Sequence, residues 1–251
     1  MLEQRFHIPV TAIYGSDFSV SGYLDKGFQT RFAWDTDLLS GYRAIFLSRV
    51  EEGGTDNIFK LPTRGLKSAL RKLDPKAILI TGYSPQFHRV ALYHAFRAKL
   101  PILFRGETTD HAHERGFLLS RFRDSFLRIF YNRCASLLYI GQRSLWHFER
   151  LRCPKEKLIF SPYGIDRSSF QWNEAARVRL RPIVRKKLGI PEDKKALLFS
   201  GKLIQRKAPI LFLRSLKFLP PGLREKITVI FIGSGPSQGE AKRLAQSPPR
   251  I

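Results

Sequence analysis

The sequence predicts an α/β protein of two Rossmann-like, parallel-sheet domains. Two observations carry this: short apolar runs alternate with stretches of helical spacing, and polar or glycine-bearing turns follow the carboxyl ends of several runs. Strands that alternate with helices pair in parallel through right-handed crossovers. In chain order the strand candidates are 10–14, 44–47, 77–81, 102–105, 136–140, 158–161, 196–200 and 227–232. Helical patterns fill 62–73, 85–98, 115–132, 142–151 and 208–218 between them. A boundary is expected after Phe170, giving an N-terminal domain over 1–170, a basic interdomain segment over 171–195 and a second domain over 196–251.

Composition narrows the class. With 43% hydrophobic residues in 251, the chain has ample material for a buried core. Cys134 and Cys153 form neither a C-x-x-C motif nor a zinc-like cluster, which points to a reducing compartment and to cysteines acting as small core residues. No apolar stretch approaches the roughly 20 residues that span a bilayer, and no signal-peptide apolar region follows Met1. A cytoplasmic protein is expected, with any membrane contact peripheral.

The 44 Lys and Arg against 21 Asp and Glu give a net charge of +23, which calls for an anionic partner. Residues 101–190 hold 18 bases and 8 acids, against 14 and 9 in residues 1–100. Within 115–133, Arg115, Arg121, Arg123, Arg128 and Arg133 interleave with Phe117, Leu118, Phe122, Phe126, Ile129 and Phe130. That apolar face either packs on the sheet, the commoner arrangement, or lies on anionic lipid. A second basic run, Arg177 to Lys187, suits a phosphate backbone as well as a bilayer. No helix-turn-helix, zinc finger or RNA-recognition motif accompanies the charge, so nucleic acid is not the expected partner.

The most informative segment is Ala196-Leu-Leu-Phe-Ser-Gly-Lys202-Leu-Ile-Gln-Arg-Lys207, an apolar run that reads as a strand buried on both faces and opens onto a glycine and two lysines. The turn between strand and helix aims cations and unpaired N–H groups at an anion. A Walker A loop is excluded, since Ala196 and Leu203 stand where glycine and Ser or Thr are required. The stretch Gly233-Ser-Gly235-Pro236 lacks the third glycine of a dinucleotide fingerprint.

What these residues resemble is the donor domain of the group 1 glycosyltransferases, nucleotide-sugar enzymes of GT-B fold. Gly201-Lys202 and Lys207-Ala208 stand where that family has Gly-Arg and Lys-Gly. Ser161-Pro-Tyr-Gly-Ile-Asp166, with Phe170, is similar to its Pro-x-Gly-Val-Asp-x-x-x-Phe stretch, and Val229-Ile-Phe-Ile-Gly233-Ser-Gly235-Pro236 to its Gly-x-Gly-Pro strand end. The three motifs fall in the family's order. The resemblance implies a GT-B-like pair of domains, the N-terminal one lacking its first strand and glycine-rich loop and the C-terminal one incomplete, without the paired-glutamate motif.

It also implies transfer of a sugar from a nucleotide diphosphate to a cell-envelope or polysaccharide acceptor, with retention and without a metal or other cofactor. Gly201, Lys202, Lys207, Gly233 and Gly235 are the expected diphosphate site, because cations and N–H donors stabilise the charge that gathers on the leaving group. At the end of the strand 102–105, Arg105 stands where many relatives have histidine. Arg105 and Glu107 are the catalytic candidates, the first stabilising charge and the second orienting an acceptor hydroxyl, with His111 and His113 as helpers; the alternative for each is ordinary turn polarity. Gly15, Ser16, Asp17, Trp34 and Asp35 either line an acceptor cleft or form turns. A reading from another class is a noncatalytic basic protein that binds anionic membrane or a partner.

Overall fold

The structure, a computed structural model, describes residues 5–25, 27–34, 36–107, 116–164 and 173–246. Its strands are β1 (Thr11–Tyr14), β2 (Tyr23–Asp25), β3 (Thr30–Phe32), β4 (Arg43–Phe46), β5 (Ile78–Ile80), β6 (Ile102–Arg105), β7 (Ser136–Tyr139), β8 (Leu158–Phe160), β9 (Lys195–Ser200) and β10 (Ile227–Ile232). All eight expected strands are present, and so is parallel pairing. The strands β5-β6-β7-β8 form a four-stranded parallel sheet in that order, while β1 pairs with β4 and β9 with β10, both in parallel. The antiparallel hairpin β2-β3 is an addition to the expected set.

The helices of 7 residues or more are α1 (Leu66–Leu73), α2 (Gln86–Arg97), α3 (Phe117–Arg133), α4 (Gln142–Arg150), α5 (Glu174–Lys187), α6 (Pro209–Ser215) and α7 (Gln238–Gln246). The chain divides into two compact units. The first comprises Met1–Ser21 and Trp34–Ile165, the second Gly22–Ala33 and Asp166–Ile251.

The first unit is organised by the four-stranded sheet. Ile80, Ile102, Phe104 and Leu137 from its strands meet Leu66 and Leu70 of α1, Ala91 and Ala95 of α2, Leu127 and Tyr131 of α3, and Phe148 of α4. Alternation in β6 is visible: Ile102 and Phe104 are buried, Leu103 and Arg105 only partly. Phe104, Phe130, Tyr131 and Phe148 form a chain of ring contacts with centroids 5.0–5.5 Å apart. The buried Tyr131 hydroxyl is satisfied by Nε2 of buried His147 at 3.2 Å. Burial pushes the thiols of Cys134 and Cys153 up, to about 12 and about 11, so both serve the core as small apolar groups.

Two expectations change. The apolar residues of α3 do not all face the sheet. Leu127, Phe130 and Tyr131 are buried, but Leu118, Leu119, Phe122, Phe126 and Ile129 are 57–76% exposed. The sheet accommodates only one stripe of a helix that is apolar over a wider arc. In the second unit, β9 is not buried on both faces: Leu197 and Leu198 are 36% and 55% exposed. The reason is that, among the described residues, β9 is flanked by β10 alone, and its packing lies on the side where Phe199, Phe212 and Phe231 cluster with centroids 5.1–5.8 Å apart.

The basic run 177–187 is helical. Asn173 caps α5 by accepting from the amides of Ala175 and Ala176 at 2.8 and 3.2 Å. Buried Arg185 ties the far end down by donating to the carbonyls of Pro191 and Lys194. Part of the positive charge is therefore structural.

Candidate functional site

The carboxyl ends of β9 and β10 place the predicted glycines side by side. The Gly201 amide donates to Ile232 O at 2.9 Å, Leu203 N to Ser234 O at 2.8 Å, and Ser237 N to Leu203 O at 2.9 Å. The two loops are thus stitched together by backbone alone. Gly201, Gly233 and Gly235 have φ of 144°, 141° and 146°, open to glycine and strained for other residues. A Cβ on Gly235 would also lie 2.7 Å from the carbonyl oxygens of Leu203 and Gly27. Gly201, Lys202, Gly233 and Gly235 are brought together at the ends of β9 and β10. Lys207 lies at the end of a 3-10 turn, Gln205–Lys207, exposed and ahead of the Ala208 αL residue that starts α6.

Lys202 holds a partner that sequence reasoning missed. Its Nζ donates to Oδ2 of Asp25 at 2.5 Å, across 177 residues of sequence but inside the same unit. Asp25 closes β2 and its carboxylate is almost fully used: Oδ1 accepts from the amides of Gly27 at 2.8 Å and Phe28 at 3.0 Å, and Oδ2 also from the Tyr23 hydroxyl at 3.2 Å. The Lys202 ammonium holds that carboxyl well below the usual range, down to about 2, with the Phe28 and Gly27 amides helping against burial. Lys202 Nζ also lies 4.9 Å from the centre of the Phe28 ring. Ser234 Oγ donates to Phe28 O at 2.8 Å, which ties the hairpin tip to the Gly233–Gly235 loop. No local pattern signals this pairing, and an Asp-x-Gly turn is common at hairpin ends.

In the first unit, the ends of β6 and β8 converge. The Arg105 guanidinium donates to Ser161 O from Nε at 3.4 Å and Nη2 at 3.2 Å, and sits 4.4 Å from the Tyr163 ring centre. The Tyr163 hydroxyl donates to Glu107. That bond, with burial second, pushes the phenol above its ordinary value, since ionising it would place two anions together. Arg105 and Glu107 are therefore neighbours through Tyr163. Tyr163 was visible in the sequence only as part of the Ser161-Pro-Tyr-Gly stretch. His111, His113, Asp166, Phe170 and Asp35 lie outside the described residues.

Asp17 is a turn residue. Buried with Ser16, it accepts from Val50 N at 2.8 Å through its carboxylate and from Val20 and Ser21 through its carbonyl. Burial alone would raise its carboxyl; the Val50 amide and Ser21 hydroxyl outweigh that and the net direction is down. Trp34 is exposed. Among the described residues no group of three or more His, Cys, Asp or Glu is placed to hold a metal, and no helix is long and apolar enough to cross a membrane.

No protein-family profile matches the sequence, and no curated protein matches it either. Solved structures do match. The crystal structure of WaaG, a glycosyltransferase involved in lipopolysaccharide biosynthesis, superposes over 85% of this chain with a TM-score of 0.52 at 18% identity. The matched part is 57% of the WaaG chain, so the present chain spans little more than half of that structure. At this identity the likeness carries architecture rather than chemistry. The chain has a mixed α/β fold with parallel sheets, similar to that of a GT-B glycosyltransferase.

Proposed function

We propose that the chain is a glycosyltransferase, or the part of one, that takes a sugar from a nucleotide diphosphate. The observation that carries this reading is the meeting of Gly201-Lys202 with Gly233–Gly235 at the carboxyl ends of two parallel strands, in a fold similar to that of a glycosyltransferase. Close-set glycines let backbone approach a diphosphate, and Lys202 and Lys207 supply positive charge where the leaving group gathers negative charge. Arg105 and Glu107 take the acceptor-side role, Arg105 as a fixed cation and Glu107 as the group that orients a hydroxyl, both steadied by Tyr163. The acceptor class is a cell-envelope glycan or lipid-linked saccharide, and transfer retains the anomeric configuration. No metal or other cofactor enters the reading.

Saturable binding of uridine or guanosine diphosphate tests it. Lys202→Ala and Lys207→Ala are each expected to weaken binding at least tenfold, since a charged contact to phosphate is worth about 1.5–3 kcal/mol. Binding that neither substitution alters would overturn the donor assignment.

The exposed face of α3 supports a peripheral membrane location on the cytoplasmic side, and it equally supports the noncatalytic reading in which binding to anionic lipid is the whole function. Leu118, Phe122 and Phe126 are 63–76% exposed at four-residue spacing, with Arg121, Arg128 and Arg133 around them. Binding to phosphatidylglycerol vesicles but to no diphosphate favours that second reading.

A further inference from the structure

In the second unit, the ammonium assigned to the donor already has an anion. Asp25 Oδ2 lies 2.5 Å from Lys202 Nζ, with side-chain exposures of 7% for Asp25 and 33% for Lys202. The carboxylate is the fixed member of the pair, since the Gly27 and Phe28 amides clamp its other oxygen at 2.8 and 3.0 Å. The lysine is the adaptable member: its four-carbon stem runs past Gly27, where a Cβ would come within 2.7 Å of Lys202 Cδ. The same hairpin is tied to the second glycine loop through Ser234 Oγ and Phe28 O. One short element thus covers both loops of the proposed diphosphate site, and it does so with a negative charge.

We infer that Asp25 is an internal competitor of the donor's diphosphate, and that the hairpin β2-β3 gates the donor turn by holding Lys202 until an anion replaces it. This rests on the reading of Lys202 as a diphosphate ligand. The electrostatics require competition. A carboxylate in contact with the ammonium cancels the field that would attract phosphate, and a phosphate brought to the same ammonium meets the carboxylate as a like charge. Lys202 can serve the diphosphate fully only after leaving Asp25. When it leaves, Asp25 keeps its two amide partners and the Tyr23 hydroxyl, so the buried carboxylate is not stranded.

The test is calorimetric titration of the full chain with inorganic pyrophosphate at low salt. Asp25→Asn keeps an oxygen for the Gly27 and Phe28 amides and removes only the charge. It is expected to bind pyrophosphate about tenfold more tightly than the unsubstituted chain, with the gain abolished by adding Lys202→Ala. Unchanged or weaker binding by Asp25→Asn, alongside binding by the unsubstituted chain, overturns the inference and leaves the donor reading standing. Failure of both to bind pyrophosphate overturns the two together. An NMR titration of the Asp25 carboxyl on the unsubstituted chain needs no variant to fold: saturating pyrophosphate is expected to raise the Asp25 midpoint, since the carboxylate keeps its amide partners but loses the ammonium. An Asp25 midpoint that saturating pyrophosphate leaves unmoved overturns the gate.

Discussion

Asp25 and Lys202 form an ion pair with Nζ 2.5 Å from Oδ2, joining a hairpin near the start of the chain to the turn after β9. The pair makes stability depend on acid. Asp25 is held down at about 2 in the folded chain against an ordinary 3.8, so its contribution is present above about pH 4 and is lost as pH falls through about 2. Because Lys202 is one-third exposed and solvent screens it, the contribution is about 1–2 kcal/mol rather than the full shift. Urea denaturation at pH 7 and pH 2.5 checks this: Asp25→Asn should lower stability at pH 7, and by less than half as much at pH 2.5.

Gly235→Ala is expected to destabilise the second unit by about 1–3 kcal/mol, through φ of 146° and a Cβ 2.7 Å from two carbonyl oxygens. Gly222→Ala is the control, since nothing lies within 4 Å of its Cβ and its φ is not in the left-handed region. Thermal melting separates them. Equal stability of the two variants would contradict the close approach of the glycine loops.

The two faces of α3 should respond oppositely. Leu127→Ala, at a fully buried position, is expected to cost about 2–5 kcal/mol. Phe122→Ala, 76% exposed, should change stability by about 0.5 kcal/mol or less while weakening sedimentation with phosphatidylglycerol vesicles severalfold. Vesicle binding untouched by Phe122→Ala and Phe126→Ala would remove the membrane role from this face.

Tyr163 should titrate above an ordinary tyrosine because its hydroxyl donates to Glu107. Deprotonation is disfavoured while the carboxylate is beside it, so Glu107→Gln is expected to bring the Tyr163 titration down toward pH 10. A phenol-specific NMR titration reads the shift. A Tyr163 midpoint that is the same with and without the Glu107 charge would separate the two residues.

Much of this fold is written locally. The eight strands read from apolar runs all form, because a run such as Ile102–Phe104 pairs and packs in the only way that buries it. The glycine loops were legible for a similar reason: Gly201, Gly233 and Gly235 occupy backbone conformations that few other residues adopt, so their spacing marks strand ends directly. The segment 177–187 was harder, since basic residues on every side and Pro182 mask a helix whose stability comes from the Asn173 cap and the Arg185 staple.

By itself, the sequence determined the alternation of strand and helix, the parallel pairing and the glycine-lysine turn, all of which follow from residue type at short range. Tertiary structure alone decided which charges meet and which faces stay uncovered. Lys202 finds Asp25 across 177 residues, Arg105 finds Ser161 and Glu107 finds Tyr163 each across 56, and only one stripe of α3 finds the sheet. Local propensity cannot encode these outcomes, because a side chain's partner depends on where distant segments fold, and a helix's apolar arc says nothing of how much of it a given sheet will cover.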